Sequence, residues 1–130
     1  MTEPLSNNIR LAEALFDAFS SGDAGAVRRI CHPDLRASQN NGQVMGLEAL
    51  IGFSLAVLEV VAEFRYEDAV RVATDTGFVE EHTVLGTLPD GSRLNIAACV
   101  VAEVQDGRIT LLREYLDTAA ARGLLAALSN

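Results

Sequence analysis

The 130-residue chain reads as one α+β domain, in which a strongly curved antiparallel sheet packs on three N-terminal helices as a cone-shaped barrel. A short C-terminal helix completes it. Three observations predict this. Apolar residues recur at three- and four-residue spacing through the first half of the chain, which is the period of a helix. From Glu63 onward the period drops to two, which is the period of a strand. Asp-Gly pairs then punctuate the strand region where hairpin turns should fall. No repeat, linker or low-complexity stretch divides the sequence, so residues 1–130 form a single domain.

Ile9, Leu11, Ala12, Leu15, Phe16 and Phe19 place a first helix over about Asn8 to Ser20, with one apolar face. Ser21-Gly22-Asp23 breaks it, and Asp23 can cap a second short helix carrying Ala26, Val27 and Ile30. His32-Pro33-Asp34 ends that helix, because proline restricts the residue before it. Leu35 to Asn40 follows as a short strand, and Asn40-Asn41-Gly42 signals a turn. A third helix begins after Gly46 and runs through Leu47, Leu50, Ile51, Phe53, Val57, Leu58 and Val60. It is apolar over much of its circumference, so it should be covered on more than one side. Four strands are predicted next, at about Phe64 to Ala73, Gly77 to Leu85, Arg93 to Val104 and Arg108 to Asp117. Pro89-Asp90-Gly91 and Asp106-Gly107 make them an antiparallel meander. The last helix takes Asp117 or Thr118 as its N-cap and Ala119 to Leu128 as its body. A curved sheet on three helices leaves a concave mouth, the usual place for a small-molecule pocket.

Composition narrows the partners. A formal net charge of −8 repels phosphate backbones, so no nucleic acid is expected. No apolar run reaches the roughly 18 residues of a membrane span; Leu50 to Ala62 is broken by Ser54 and Glu59. Met1-Thr2-Glu3-Pro4 lacks the basic-then-apolar start of a signal peptide, and a cytoplasmic protein is expected. Cys31 and Cys99 have no metal-site spacing and read as small buried apolar residues. With two distant histidines, His32 and His82, neither a metal nor a cofactor is expected.

Two segments carry a family resemblance. Val79-Glu80-Glu81-His82-Thr83-Val84-Leu85-Gly86-Thr87-Leu88-Pro89-Asp90-Gly91 resembles the central hairpin of SnoaL-like proteins. So does Asp106-Gly107-Arg108-Ile109-Thr110-Leu111-Leu112-Arg113-Glu114-Tyr115-Leu116-Asp117 for their last strand. The helical half agrees through Ala14 to Phe19, His32-Pro33-Asp34 and Gly46 to Leu50. The resemblance implies a member of the nuclear-transport-factor-two-like, or ketosteroid isomerase-like, superfamily over nearly the whole chain. That superfamily holds isomerases, polyketide cyclases, dehydratases, epoxide hydrolases and non-catalytic binding domains, so fold does not settle function. Ser38 or Gln39, and Cys99 or Val100, stand where ketosteroid isomerases carry their two aspartates. Glu114 matches the last-strand acid of SnoaL-type cyclases, but their partner histidine would fall near Val100 and is missing here. Glu81, Thr83 and Glu114 stand where limonene epoxide hydrolase carries an Arg-x-Asp pair and a last-strand aspartate. One carboxylate position is kept, as glutamate, and the other two are changed, so none of these chemistries transfers intact.

The resemblance also implies that Thr110, Leu112, Glu114 and Leu116 point into the cone. The same phase puts Val79, Glu81, Thr83 and Leu85 inside, and Phe78, Glu80, His82 and Val84 outside. On the first strand it turns Arg36, Ser38 and Asn40 inward, with Phe16 and Phe53 facing them from the helices. Glu114, desolvated between Leu112 and Leu116, is the expected acid-base group, with Glu81 beside it raising its proton affinity. A structural pair with Arg36 would instead neutralise it. On this phase His82 and Arg113 lie outside, and Glu80 can pair with Arg113 across strands. Phe78, Val84, Leu111 and Tyr115 would then form an apolar outer face suited to a homodimer. Two functions stay open: a cofactor-free enzyme of isomerase, cyclase, dehydratase or epoxide hydrolase type on a small hydrophobic molecule, or a non-catalytic ligand-binding or dimerisation domain.

Overall fold

A computed structural model describes residues 3–129. The elements run α1 (Glu3–Ser21), α2 (Ala24–Ile30), β1 (Cys31–Gln39), α3 (Leu47–Val60), β2 (Ala62–Ala73), β3 (Gly77–Thr87), β4 (Arg93–Gln105), β5 (Arg108–Leu116) and α4 (Arg122–Leu128). This is the α+β architecture expected, with the helices gathered on one face of a five-stranded sheet. The sheet order is β1-β5-β4-β3-β2, with β1 and β2 as its two edges. It is mixed rather than wholly antiparallel. β2 to β5 form the meander, but β1 runs parallel to β5. The reason is topological: α3 carries the chain across the sheet, so β1 enters from the opposite side to a hairpin partner.

Local chemistry accounts for the helix ends. α1 begins earlier than its apolar face, because Pro4 in the first turn forfeits no helical hydrogen bond. Gly22 takes a left-handed φ of 72°, and Asp23 caps α2 by accepting from the Ala26 N–H at 3.0 Å. α4 starts later than expected, since Asp117 caps a turn by accepting from the Ala119 and Ala120 N–H groups. β1 reaches back through His32-Pro33-Asp34, where its register with β5 is broken. Among the described residues no helix is long and apolar enough to cross a membrane.

Three irregularities interrupt the meander, one of them near Glu63 at the start of β2, and the other two set the phase of the sheet around the cavity. On β5, Leu111 pairs with Glu103 but Ile109 pairs with Val104, so Thr110 is one residue extra. On β2, Glu67 pairs with Thr83 but Val70 pairs with Glu81, so one extra residue lies around Asp68, whose φ is 58°. Each is a β-bulge, which bends its strand and reverses which face the following side chains occupy. Ile109 and Leu112 are therefore both buried inside, although three residues apart. Strict alternation back from Leu112 would have put Ile109 outside.

The inner face feeds two apolar clusters. Ala12, Leu15, Phe16, Phe78, Ala102 and Ile109 belong to the first, under α1 and α2. Val57, Val61, Leu88, Leu94, Ile96 and Leu124 belong to the second, under α3 and α4. Cys31 is buried as expected, whereas Cys99 is only partly covered, on the outer face.

One close approach is expected to tolerate no side chain. A Cβ added at Gly77 would sit 1.9 Å from the Ala102 carbonyl oxygen, whereas one added at Gly52 on α3 would meet open space. Gly77→Ala should cost about 1–3 kcal/mol, read as a lower urea midpoint at unchanged slope. Gly52→Ala should raise the midpoint, because alanine is the better helix former.

Candidate active site

The cavity lies between the two clusters, with a volume of about 380 Å³. That is within the range of small-molecule pockets. α1 contributes Leu15, Phe16 and Phe19; α3 contributes Phe53 and Val57; the sheet contributes Phe64, Tyr66, Val84, Ile96, Val100 and Leu112. No lining residue is basic, and Glu114 is the one carboxylate among them. The walls are otherwise apolar, relieved by Ser38, Gln39, Asn40, Ser54 and Thr118 around the β1 end.

Glu114 sits on β5 between Leu112 and Leu116, all three facing the cavity. Gln39, its register partner on β1, donates its amide N–H to Oε1 at 2.8 Å. Burial raises the Glu114 pKa above the ordinary value of 4.5; the Gln39 hydrogen bond and the charge of His82 oppose the rise. Tyr66 is also pushed up, by burial first and then by the charges of Glu114 and Glu80. The mouth is braced by Asn40, whose side chain accepts from the Leu116 N–H at 3.0 Å.

A second polar group lies on the same face. Glu80 is fully buried, and Arg71 donates to its Oε1. The other carboxylate oxygen is 2.6 Å from His82 Nδ1. The imidazole is flanked by Phe16, at 4.9 Å between ring centroids, and by Tyr66, at 4.6 Å. His82 Nε2 is buried without a hydrogen-bond partner among the described residues, a condition that costs about 1–3 kcal/mol.

Several sequence expectations change with this geometry. Glu81 and Thr83 face outward, so neither lines the cavity; Glu80, His82 and Val84 take the inner positions. Phe78 and Val84 likewise belong to the core rather than to the outer face. Glu80 pairs with Arg71, not Arg113. Arg36 is exposed, opposite Leu111, and does not reach Glu114; Gln39 holds that carboxylate instead. Ser38 and Asn40 border the cavity, and Phe16, Phe53, Leu112 and Leu116 line it. The physical reason is the bulge at Thr110. Continued from the tight Asp106-Gly107 turn without it, the ladder would set Glu114 opposite Cys99, and Cys99 opposite Glu81. With it, Glu114 faces Val100, and Val100 faces Glu80. One signal could have revealed this. On β4 the even positions Leu94, Ile96, Ala98, Val100 and Ala102 are all apolar, and a hairpin centred on Asp90 pairs even residues with even.

Residues 12–112 match the profile of the SnoaL-like domain. The chain belongs to the SnoaL-like domain family. A search of curated protein sequences found no match. Among solved structures, this SnoaL-like chain superposes on a candidate polyketide cyclase from Xanthomonas campestris pv. campestris with a TM-score of 0.80. The two are 22% identical, over 95% of this chain and 98% of that one. An epoxide hydrolase of Mycobacterium tuberculosis, resembling limonene epoxide hydrolase, gives 0.75 at 26% identity, over 97% and 95%. An NTF2-like protein from Burkholderia xenovorans LB400 gives 0.78 at 20%, over 92% and 96%. Val100, the position at which the SnoaL-like resemblance places a partner histidine, is an apolar lining residue of the cavity, paired with Glu80 on β3 and Glu114 on β5. Among the described residues no cluster of three or more metal-ligating side chains occurs.

The raised Glu114 pKa has a defined consequence for stability. Folding favours the protonated acid, so its contribution is full below the ordinary value of 4.5 and is lost as pH rises through the folded value. Glu114→Gln stays uncharged throughout. Its urea midpoint should therefore gain on the parent's as pH rises from about 4 to about 8. A difference that stays constant with pH would show that the carboxylate is hydrated in the folded protein.

Proposed function

We propose that this SnoaL-like domain binds a small, neutral, largely apolar molecule in its cavity and acts on it by cofactor-free acid-base chemistry through Glu114. The observation that carries this reading is the lone carboxylate in an apolar cavity, held by Gln39 with its proton affinity raised by burial. A neutral ligand fits because no basic side chain lines the walls to balance an anion. None of the ten basic residues in this chain is a lysine, so a Schiff base with a carbonyl substrate is not open to it. What remains is proton transfer next to a carbonyl, loss or addition of water, ring closure, or opening of an epoxide by water. The candidate cyclase and the epoxide hydrolase among the structural neighbours are consistent with that range.

The test is a screen of small hydrophobic ketones, lactones and epoxides with the parent protein and Glu114→Gln. Turnover should fall by roughly 10² or more in the variant, the scale of a lost general acid or base, with ligand affinity kept. Turnover that survives unchanged would remove Glu114 from the mechanism. The alternative is a binding domain, favoured by the burial of His82 behind Phe16 and Tyr66. It is supported by ligand binding with no turnover in the parent and altered affinity in the variant.

The outer sheet face supports a homodimer in this reading. Val72, Val79 and Val101 form a row across β2, β3 and β4. Val70 and Val72 are 56% and 58% exposed, and Tyr115 is exposed on β5. A second copy would cover this stripe isologously. Light scattering should give a dimer at micromolar concentration, and Val72→Glu or Tyr115→Glu should shift it toward monomer. A parent protein that is monomeric there would count against the assembly.

A further inference from the structure

β1 ends at Gln39, the register partner of Glu114, while β5 runs on to Leu116. The chain leaves the sheet there because Asn40 and Asn41 take left-handed φ values of 50° and 58°, which asparagine tolerates better than most side chains. The Asn40 N–H still donates to the Glu114 carbonyl, at 2.8 Å. In a continued parallel ladder the Asn40 carbonyl would then accept from the Leu116 N–H. Its side chain takes that place. Oδ1 accepts from the Leu116 N–H at 3.0 Å, and Nδ2 donates to the Leu116 carbonyl at 3.3 Å. One asparagine thus grips β5 on both sides of Tyr115, whose hydroxyl donates to Asn41 Oδ1 at 3.2 Å. Gln39 acts on the carboxyl group itself, donating to Oε1 at 2.8 Å. Oε2 has no hydrogen-bond partner among the described residues, yet His82 Nε2 is the only buried side-chain polar atom among them left without one. Oε2 is therefore open to the cavity that Glu114 lines. An ionised carboxylate only accepts, so Gln39 must present its N–H group. In the protonated acid the same bond keeps Oε1 as the carbonyl oxygen and leaves the proton to Oε2.

We propose that Gln39 and Asn40 are positioning residues that leave Glu114 a single reactive oxygen, Oε2, for every proton it exchanges with a ligand. The inference rests on the acid-base reading of the cavity and adds the atom through which it works. Asn40 fixes the β5 backbone, and Gln39 fixes the turn of the carboxyl group upon it. A freely turning carboxyl would offer either oxygen and lose part of the advantage of a held geometry. The ionisable groups on the inner face near it are Tyr66 and Arg71 from β2 and Glu80 and His82 from β3. Among the described residues, β1, β4 and the helices line the cavity with none. The ligand class follows: a neutral molecule with an apolar body and an accepting oxygen, such as a ketone, lactone or epoxide. The ligand oxygen takes the proton as the O–H bond at Oε2 breaks, and the electron pair of that bond stays on Oε2. The carboxylate so formed keeps the Gln39 N–H, now as the stronger, charge-assisted bond.

The experiment is carbon-13 spectroscopy of the glutamate carboxyl groups in the ligand-free protein, assigned with Glu114→Gln. Gln39→Met removes the donor with little change of volume, and Gln39→Asn keeps an amide but withdraws it from reach. Both should move the Glu114 titration midpoint up, because the lost bond favours the ionised acid. Asn40→Gly keeps the left-handed turn and loses the grip on Leu116. It should shift the Glu114 carboxyl line, whereas a purely structural Asn40 would lower the urea midpoint and leave that line in place. A Glu114 midpoint unmoved in both Gln39 variants would overturn the proposal. So would a rise in Gln39→Met alone, which is the mark of desolvation, or a fall, which means that the acid donates to the Gln39 carbonyl. Cyclohexanone tests the ligand class. Its bound C=O stretch should lie at lower wavenumber below the Glu114 midpoint than above it, and the Leu112 and Val100 methyl shifts report occupancy independently. Occupancy without that pH dependence would overturn donation from Oε2. If the methyls do not move, the cavity reading fails, and the ligand-free titration still decides the positioning. On any substrate turned over, Gln39→Met should lower kcat by up to about 10² with KM kept, as a misplaced group does, and move the Glu114 limb of the pH profile upward.

Discussion

The extra residue that β5 carries at Thr110 decides which side chains face the interior of this protein. Side chains alternate strictly along a strand, so a single inserted residue reverses every position beyond it. Below the bulge Ile109 fills the core; above it Leu112, Glu114 and Leu116 turn to the cavity. β2 uses the same device around Asp68. There Phe64 and Tyr66 line the cavity on one side of the bulge, and Arg71 reaches Glu80 on the other. Without that shift Val70 would stand opposite Glu80, leaving a buried carboxylate with no cation, which a protein interior resists.

The polar row that results is costly to bury. Glu80 and His82 are both withdrawn from water, and an ion pair in the interior rarely gains more than its desolvation cost. Their retention is better understood as specificity. Arg71, Glu80 and His82 satisfy one another along a chain, and that chain sits under Phe16, which also touches Phe78 and Tyr66. The aromatic cluster thus does two jobs. It shields the ionic group from water, and it forms the wall between that group and the cavity where Glu114 lies.

The SnoaL-like fold makes such a division natural. Helices cover one face of a curved sheet, the core splits into two clusters, and the space between them stays open toward β1 and α4. An acid or base projecting from the inner rows beside that space, as Glu114 does, borders the cavity. Members of one fold can therefore differ in chemistry by exchanging a few inward residues while the scaffold stays the same. In this chain the inward set is Glu114 with Gln39, and Glu80 with His82 and Arg71.

Much of the architecture was legible in local sequence, because it rests on interactions between near neighbours. The periodicity of Ala12, Leu15 and Phe16 marks α1, Asp23 caps α2, and the two Asp-Gly turns order the meander. Glu114 could be placed on the inner face by its resemblance to last-strand acids of the family. The parallel pairing of β1 with β5 was not legible, since it depends on where α3 delivers the chain. Nor was the companionship of Glu114: strand alternation points to Arg36 and Glu81, whereas the sheet brings Gln39 to that carboxylate and turns Glu80 and His82 to the inner face. β3 carries apolar residues at both parities, Phe78 and Val84 on one and Val79 and Leu85 on the other, so its own alternation cannot choose a face. That choice is made by hydrogen-bond register across β4 and β5, which a one-residue bulge inverts. Sequence alone therefore determined the elements and their order. Tertiary pairing decided the faces, because the parity of a strand belongs to the sheet and not to the strand.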